Sequence, residues 1–148
     1  MITVTIQVKP YLAAYLQSAY AHCTVEGAIR FTKNQNLYSC LLQLTTPRPK
    51  GVSWRDRGTL SLPCPSVGKD PRTYNYLGEE AVKVLEQEIN YEMRMDYYRF
   101  LRRNKFKNGM MFTRATELYL EEHGMRELIP EETLLKSYFL WVKKVERK

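Results

Sequence analysis

The sequence predicts an α+β fold: a small N-terminal β-sheet with helices, followed by a C-terminal helical bundle, within a single domain. Three observations carry this. Apolar residues alternate at the N-terminus, proline and glycine interrupt the chain repeatedly up to about residue 77, and apolar residues recur at steps of three and four from residue 79 onwards. At 148 residues and 17.5 kDa the chain is long enough to enclose one hydrophobic core without disulfides or structural metals. Its 44% hydrophobic and 12% aromatic content is that of a folding chain. The division expected is mixed strands, helices and loops over 1–77 and helix over 78–148.

Ile2, Val4, Ile6 and Val8 alternate with Thr3, Thr5, Gln7 and Lys9, the period-2 pattern of a strand with one buried face. Pro10 suits a helix's first turn, and Leu12, Tyr15, Leu16, Ala19, Tyr20 and Cys23 then mark one helical face, with Cys23 as core. Gly27 breaks this pattern before a short strand over 28–31. Leu37, Tyr38, Leu41 and Leu42 predict a second helix, capped by Asn34 or Asn36 and stopped by Pro47. A Pro/Gly-rich loop over 46–58, a third strand over 59–62 ended by Pro63, and an irregular stretch over 63–77 follow.

Val82, Leu85, Ile89, Met93, Tyr97 and Phe100 predict the longest helix, over 79–103, supported by Glu79 and Lys83 at i,i+4. A helix over 113–123 turns Ala115, Leu118 and Tyr119 inward and stops at Gly124. The last helix begins at Glu131 and runs to about Lys144. Pro130 precedes it, and Glu131 and Glu132 face the positive end of its dipole. Leu134, Leu135, Tyr138, Trp141, Val142 and Val145 form its apolar side, and Lys143, Lys144, Arg147 and Lys148 lie at its negative end.

The function classes narrow by exclusion. No apolar run approaches the roughly 20 residues of a membrane-spanning helix, and the N-terminus alternates where a leader would be basic and then apolar. No membrane association is expected, and the predicted location is the cytoplasm. Cys23, Cys40 and Cys64 are odd in number, widely spaced and without a Cys-x-x-Cys pair, which favours reduced structural thiols over disulfides or zinc. Val67-Gly68-Lys69-Asp70 resembles the end of a phosphate-binding loop, but the glycine required five positions before Gly68 is Pro63, which has no N–H to offer.

His22 and Cys23 point about 100° apart on a helix, which does not make a nucleophile and base. His22 and His123 are the only histidines, and His123 beside Gly124 reads as a helix C-terminal residue. Glu88, Glu92 and Asp96 at i,i+4 steps could gather a divalent cation, yet a solvated acidic stripe is the preferred reading. The chain is therefore expected to be no enzyme, with no cofactor and no metal.

The net charge of +7 favours an anionic partner, DNA or RNA first. Residues 1–76 carry nine Lys/Arg against three acids, and residues 77–148 fourteen against thirteen, so the excess is N-terminal. Two basic clusters follow from the pattern. Arg99, Arg102, Arg103, Lys105 and Lys107 lie at and just beyond the end of the long helix, the three arginines within a sector of about 100° opposite the Tyr97, Phe100 and Leu101 side. Arg48, Lys50, Arg55 and Arg57 surround Trp54 in the Pro/Gly loop, joining phosphate-neutralising charge to a ring able to stack on a base. Two readings stand level: a nucleic-acid-binding surface, or a solubilising basic rim with Trp54 folded back into the core.

The last two helices do not make a DNA-reading helix pair. Seven residues join them where three or four are needed, and the second helix is acidic where phosphate would approach. The alternative function is a protein interaction or assembly module, as a homodimer or with a protein partner. Eleven tyrosines, two tryptophans and six methionines exceed what a modest core requires, and exposed Tyr74 and Tyr76 would lie at the contact.

Ile129-Pro-Glu-Glu-Thr-Leu-Leu-Lys136 before a basic aromatic tail, taken with the N-terminal strand and helix, resembles small proteins of bacterial phages and conjugative elements of Bacteroides-like bacteria. The resemblance covers about half the chain. It implies a mobile-element, DNA-handling context and carries over no activity and no site residues.

Overall fold

A computed structural model describes residues 2–25, 28–31, 35–51, 60–65 and 69–146. Gly27, Asn34, Trp54, Arg55, Arg57, Gly58, Thr59, Val67, Gly68, Arg147 and Lys148, on which parts of the sequence reading fall, lie outside them. The α+β class with a helical C-terminal part is observed. The chain divides into two compact units, Met1–Asn90 and Tyr91–Lys148.

The first unit opens with strand β1 (Thr3–Ile6), whose alternation buries Val4 and Ile6, with Val8 buried just beyond. Helix α1 (Pro10–Ala19) starts on the proline, and its Leu12, Ala13, Tyr15 and Leu16 are buried. It stops four residues earlier than the apolar stripe implied. A single 3-10 turn, Ala21–Cys23, replaces its last turn and leaves Cys23 half-buried, not in the core.

Strands β2 (Thr24–Val25) and β3 (Ala28–Ile29) then pair antiparallel. Helix α2 (Asn36–Leu44) has Gln35 at its N-cap with no side-chain capping bond, and Asn36 is its first helical residue, so Asn36 is not the cap. Thr45 ends the helix because Thr46 precedes Pro47 and is disfavoured in helical geometry.

Thr46 and Pro47 form a strand, β4 (Thr46–Pro47), where a loop was expected. After β5 (Leu60–Pro63) comes a further strand, β6 (Tyr74–Tyr76), which pairs antiparallel with β4 and corrects the irregular reading of that stretch. Proline is tolerated there because β4 has only one neighbour and need not donate on both sides. Lys69 braces this corner: its ammonium donates to the Thr45 carbonyl at 2.9 Å and lies 5.3 Å from the Tyr74 ring centre.

The strands pair two by two, β1 with β5, β2 with β3 and β4 with β6. In the first pair Val4 faces Leu62 and Ile6 faces Leu60, all four buried, while Thr5 faces Ser61 on the other side with their hydroxyls 3.2 Å apart. Cys64 follows, buried, and burial pushes its thiol up to about 11.

Helix α3 (Glu79–Asn108) is five residues longer than predicted. The extra turn is held by Asn104, whose side-chain amide donates to the Phe100 carbonyl at 2.8 Å and whose Oδ1 accepts from Asn108 at 3.0 Å. Gly109 at φ +64° then ends it in the left-handed region that glycine alone adopts without cost. The division between the units falls inside α3, so Leu85 and Ile89 belong to the first, and Met93, Tyr97, Tyr98 and Leu101 to the second.

In the second unit α4 (Phe112–Glu122) packs against α5 (Glu131–Glu146). Gly124, φ +64°, stops α4 as expected, with the Met125 N–H bonded to the Leu120 carbonyl at 2.8 Å and both side chains buried. Leu118 is only half-buried, and Ala115, Thr116, Tyr119 and Leu120 form the inward side. The centre is aromatic. The Tyr97 ring lies 5.2 Å from Tyr119 and 5.7 Å from Tyr98, and Tyr98 in turn stacks on Trp141 at 4.9 Å.

Burial on α5 is narrower than its apolar pattern suggests: Leu134 and Tyr138 are buried, Leu135, Trp141 and Val142 are half-buried, and Val145 is exposed. Trp141→Ala should therefore cost about 1–2 kcal/mol, less than a fully enclosed tryptophan, because its side chain is only half-buried. A urea melt measures this, with the emission maximum of Trp141 expected between the buried and fully hydrated limits.

Candidate nucleic-acid interface

The site is built on the last two turns of α3. At 100° per residue, Arg99, Arg102, Arg103, Phe106 and Lys107 fall within a sector of about 140°, opposite Tyr97, Leu101 and Asn104. The structure agrees with that geometry: Arg99, Arg102, Arg103, Lys105 and Lys107 are all exposed, whereas Tyr97, Leu101 and Asn104 are buried. The cations stand outward because the opposite side of the helix is consumed by the aromatic core.

Three cations rest near rings. The Arg102 guanidinium lies 5.9 Å from the Phe106 ring centre, Arg103 lies 5.9 Å from Phe100, and the Lys105 ammonium lies 5.3 Å from Phe112. Phe106 is itself 73% exposed, the most exposed large hydrophobic side chain among the described residues. It occupies the middle of the arginine sector, four residues after Arg102 and three after Arg103.

The electrostatics are one-sided. Residues 97–116 carry six Lys/Arg and no carboxylate. At the borders of that stretch Asp96 accepts a hydrogen bond from the Tyr119 hydroxyl at 2.9 Å, and Glu117 meets Arg114 at 3.5 Å. Among the described residues, Arg99, Arg102, Arg103, Lys105 and Lys107 enter no ion pair. Lys105 and Lys107 also sit at the negative end of the helix dipole, which accounts for two of the five charges on structural grounds. It leaves the three arginines unexplained by the fold.

In the first unit Arg48 and Lys50 follow β4 and are exposed, Arg48 with an interaction of its own. Their companions Trp54, Arg55 and Arg57 lie outside the described residues. Of that cluster only Arg48 and Lys50 are described, whereas the α3 cluster is described in full.

The other candidates resolve differently. Of the acidic series, Glu88 is exposed, but Glu92 and Asp96 are half-buried and Asp96 is tied to Tyr119, so this is not a freely solvated stripe. No group of three or more metal-ligating side chains occurs among the described residues. His123 caps α4 with its ring 4.4 Å from that of Tyr119; burial pushes its pKa below the usual imidazole value, against the opposing pull of Asp96 and Glu122. Glu131, at the start of α5, is pushed upward by burial and by Glu117 and Glu132, so its favourable position at the helix dipole is partly offset by like charge.

The tyrosine excess also has a structural explanation. Tyr15, Tyr20, Tyr97, Tyr98, Tyr119 and Tyr138 are buried, Tyr74 and Tyr76 are half-buried in β6, and Tyr91 alone is well exposed. The aromatic residues chiefly fill the interior.

Sequence reasoning passed over Phe106 because it ended the helix at Arg103. Its signal was present in Arg102-Arg103-Asn104-Lys105-Phe106-Lys107: a phenylalanine out of phase with the apolar series and in phase with the cations. No helix among the described residues is long and apolar enough to cross a membrane. No protein-family model, curated protein or solved structure matches the chain.

Proposed function

We propose that this chain is a small non-enzymatic nucleic-acid-binding or regulatory protein, acting in the cytoplasm, that holds phosphate backbone through Arg99, Arg102, Arg103, Lys105 and Lys107. Arg48, Lys50, Trp54, Arg55 and Arg57 form a second, auxiliary cluster in this reading. One observation supports it above the others: five exposed cations on neighbouring turns without a carboxylate partner among the described residues. An ordinary solubilising surface intersperses both signs of charge, whereas unopposed cations retain their full attraction for a polyanion. The resemblance of residues 129–136 to phage and conjugative-element proteins adds a mobile-element setting in which DNA is the ready partner.

Binding to arbitrary DNA should be weak, on the order of micromolar, and should fall steeply with salt as condensed counterions are released. Replacing Arg99, Arg102 and Arg103 together by alanine should reduce the slope of log affinity against log salt by roughly 3, about one unit for each phosphate no longer neutralised. The melting free energy should change by less than about 0.5 kcal/mol per site, because the three side chains are exposed. Anisotropy titrations of labelled duplex across a salt series measure both affinity and slope. Affinity indifferent to salt, or to the triple substitution, would contradict the proposal.

A second reading is favoured by α5, where Phe139 and Leu140, off the face that buries Leu134 and Tyr138, are about half exposed. There the chain would be an assembly module, as a homodimer or with a protein partner, its contact lying on this helix instead of at Tyr74 and Tyr76. Sedimentation over a concentration series, repeated with Leu140→Glu, separates the two: self-association abolished by the substitution favours assembly.

A further inference from the structure

The position of Phe106 narrows the partner. A phenylalanine on an exposed helix turn usually finds neighbours to cover it, yet this ring keeps 73% of its surface in water while Arg102, Arg103 and Lys107 surround it on the same side of α3. The Arg102 guanidinium lies 5.9 Å from the ring centre, and the exposure of the side chain leaves ring surface open.

A ring of this kind can meet a base only where the base face is free. In a duplex the base faces are stacked on one another and only edges and phosphates are presented, so an aromatic platform gains nothing without unstacking a step. In a single strand every base offers a face, and the spacing of backbone phosphates lets flanking cations hold the chain while a ring stacks between them. An acidic peptide would satisfy the cations as well, but carboxylates on flexible stems give an exposed phenyl ring no planar partner.

Resting on the nucleic-acid reading above, we propose that the end of α3 is a single-strand site: Phe106 stacks on one unpaired base, and Arg102, Arg103 and Lys107 hold the phosphates on either side of it. Phe106 is therefore a binding residue with a role distinct from the cations. It adds affinity that depends on an accessible base and is insensitive to salt, whereas the cations add affinity that depends on phosphate and is screened by salt.

The test uses the full chain, a labelled oligothymidylate, and a duplex of equal phosphate count, in low salt. The unaltered protein should bind the single strand more tightly than the duplex. Phe106→Ala should weaken single-strand binding by about tenfold or more, the usual effect of removing one stacking ring, and leave duplex binding within about twofold, since phosphate binding is untouched. Phe106→Trp should restore single-strand affinity, which a general disturbance of the helix would not allow. Equal affinities for the two probes, or an equal loss on both with Phe106→Ala, would overturn the single-strand inference while leaving phosphate binding in place. Failure of both probes to bind at low salt would remove both proposals together.

Discussion

Replacing Tyr97 by alanine should destabilise the second unit by roughly 3–5 kcal/mol, the range for losing a fully enclosed aromatic side chain. Tyr97 has no exposed surface, and its ring meets those of Tyr98 and Tyr119. Its hydroxyl lies 2.7 Å from the Thr116 hydroxyl, which in turn donates to the Phe112 carbonyl at 2.8 Å. Thr116 has one proton, and Phe112 takes it. Tyr97 must then be the donor in its own bond. Tyr97→Phe removes that donor without leaving a cavity and should cost about 1–2 kcal/mol, mostly through the Thr116 oxygen left without its partner.

The same burial holds the Tyr97 phenol well above its usual pKa; the Thr116 hydroxyl, which would turn to donate to a phenolate, pulls the other way, Tyr98 and Glu131 add to the rise and Arg94 opposes it. An unfolded tyrosine loses its proton near pH 10 and the folded one only above that, so the folded state binds more protons in this window. Stability from this group is thus complete below about pH 10 and declines as pH rises further. Urea melts at neutral and alkaline pH, with phenolate absorbance as a second signal, test all three statements. A Tyr97→Ala protein that melts within about 1 kcal/mol of the parent would show that the aromatic cluster does not hold this unit together.

Removing residues 130–148 should have a larger effect still, abolishing the cooperative fold of the second unit. That segment contributes buried Leu134 and Tyr138 and the Trp141 ring stacked on Tyr98. It also contributes Ser137, whose hydroxyl accepts from Arg94 at 2.8 Å and from Tyr98 at 3.2 Å. Burying two such side chains supplies roughly 3–6 kcal/mol before the polar interactions are considered. A domain's whole margin is only about 5–15 kcal/mol. Circular dichroism of the truncated chain should retain helix without a sharp melt, and amide spectra should lose dispersion. An undiminished cooperative transition would make α5 an accessory arm.

Much of the fold was legible because its elements depend on local rules. The strand at Thr3–Ile6 followed from alternation, the start of α1 from Pro10, the end of α4 from Gly124, and the start of α5 from Pro130 and its first acidic turn. The strand β6 was not legible, because Tyr74–Tyr76 sits among prolines and glycines and becomes a strand only by pairing with Thr46–Pro47, nearly thirty residues earlier in the chain. The early end of α1 was hidden for a similar reason: Cys23 continues the helical spacing, but the 3-10 turn and the β2–β3 pair take up the residues around it.

For the candidate site, residue types and sector were readable from spacing alone, since a helix places Arg99, Arg102 and Arg103 together wherever it is found. By itself the sequence determined that the chain is α+β, that its C-terminal half is helical, and that a basic cluster stands at the end of the longest helix. Only the tertiary structure decided that Phe106 remains in water while Tyr97 and Tyr98 do not, and that Trp141 is half-covered. Spacing tells which side chains share a face of an element; which face is covered depends on what the rest of the chain packs against it. Aromatic residues, able to serve as core, interface or stacking surface, are where that difference is greatest.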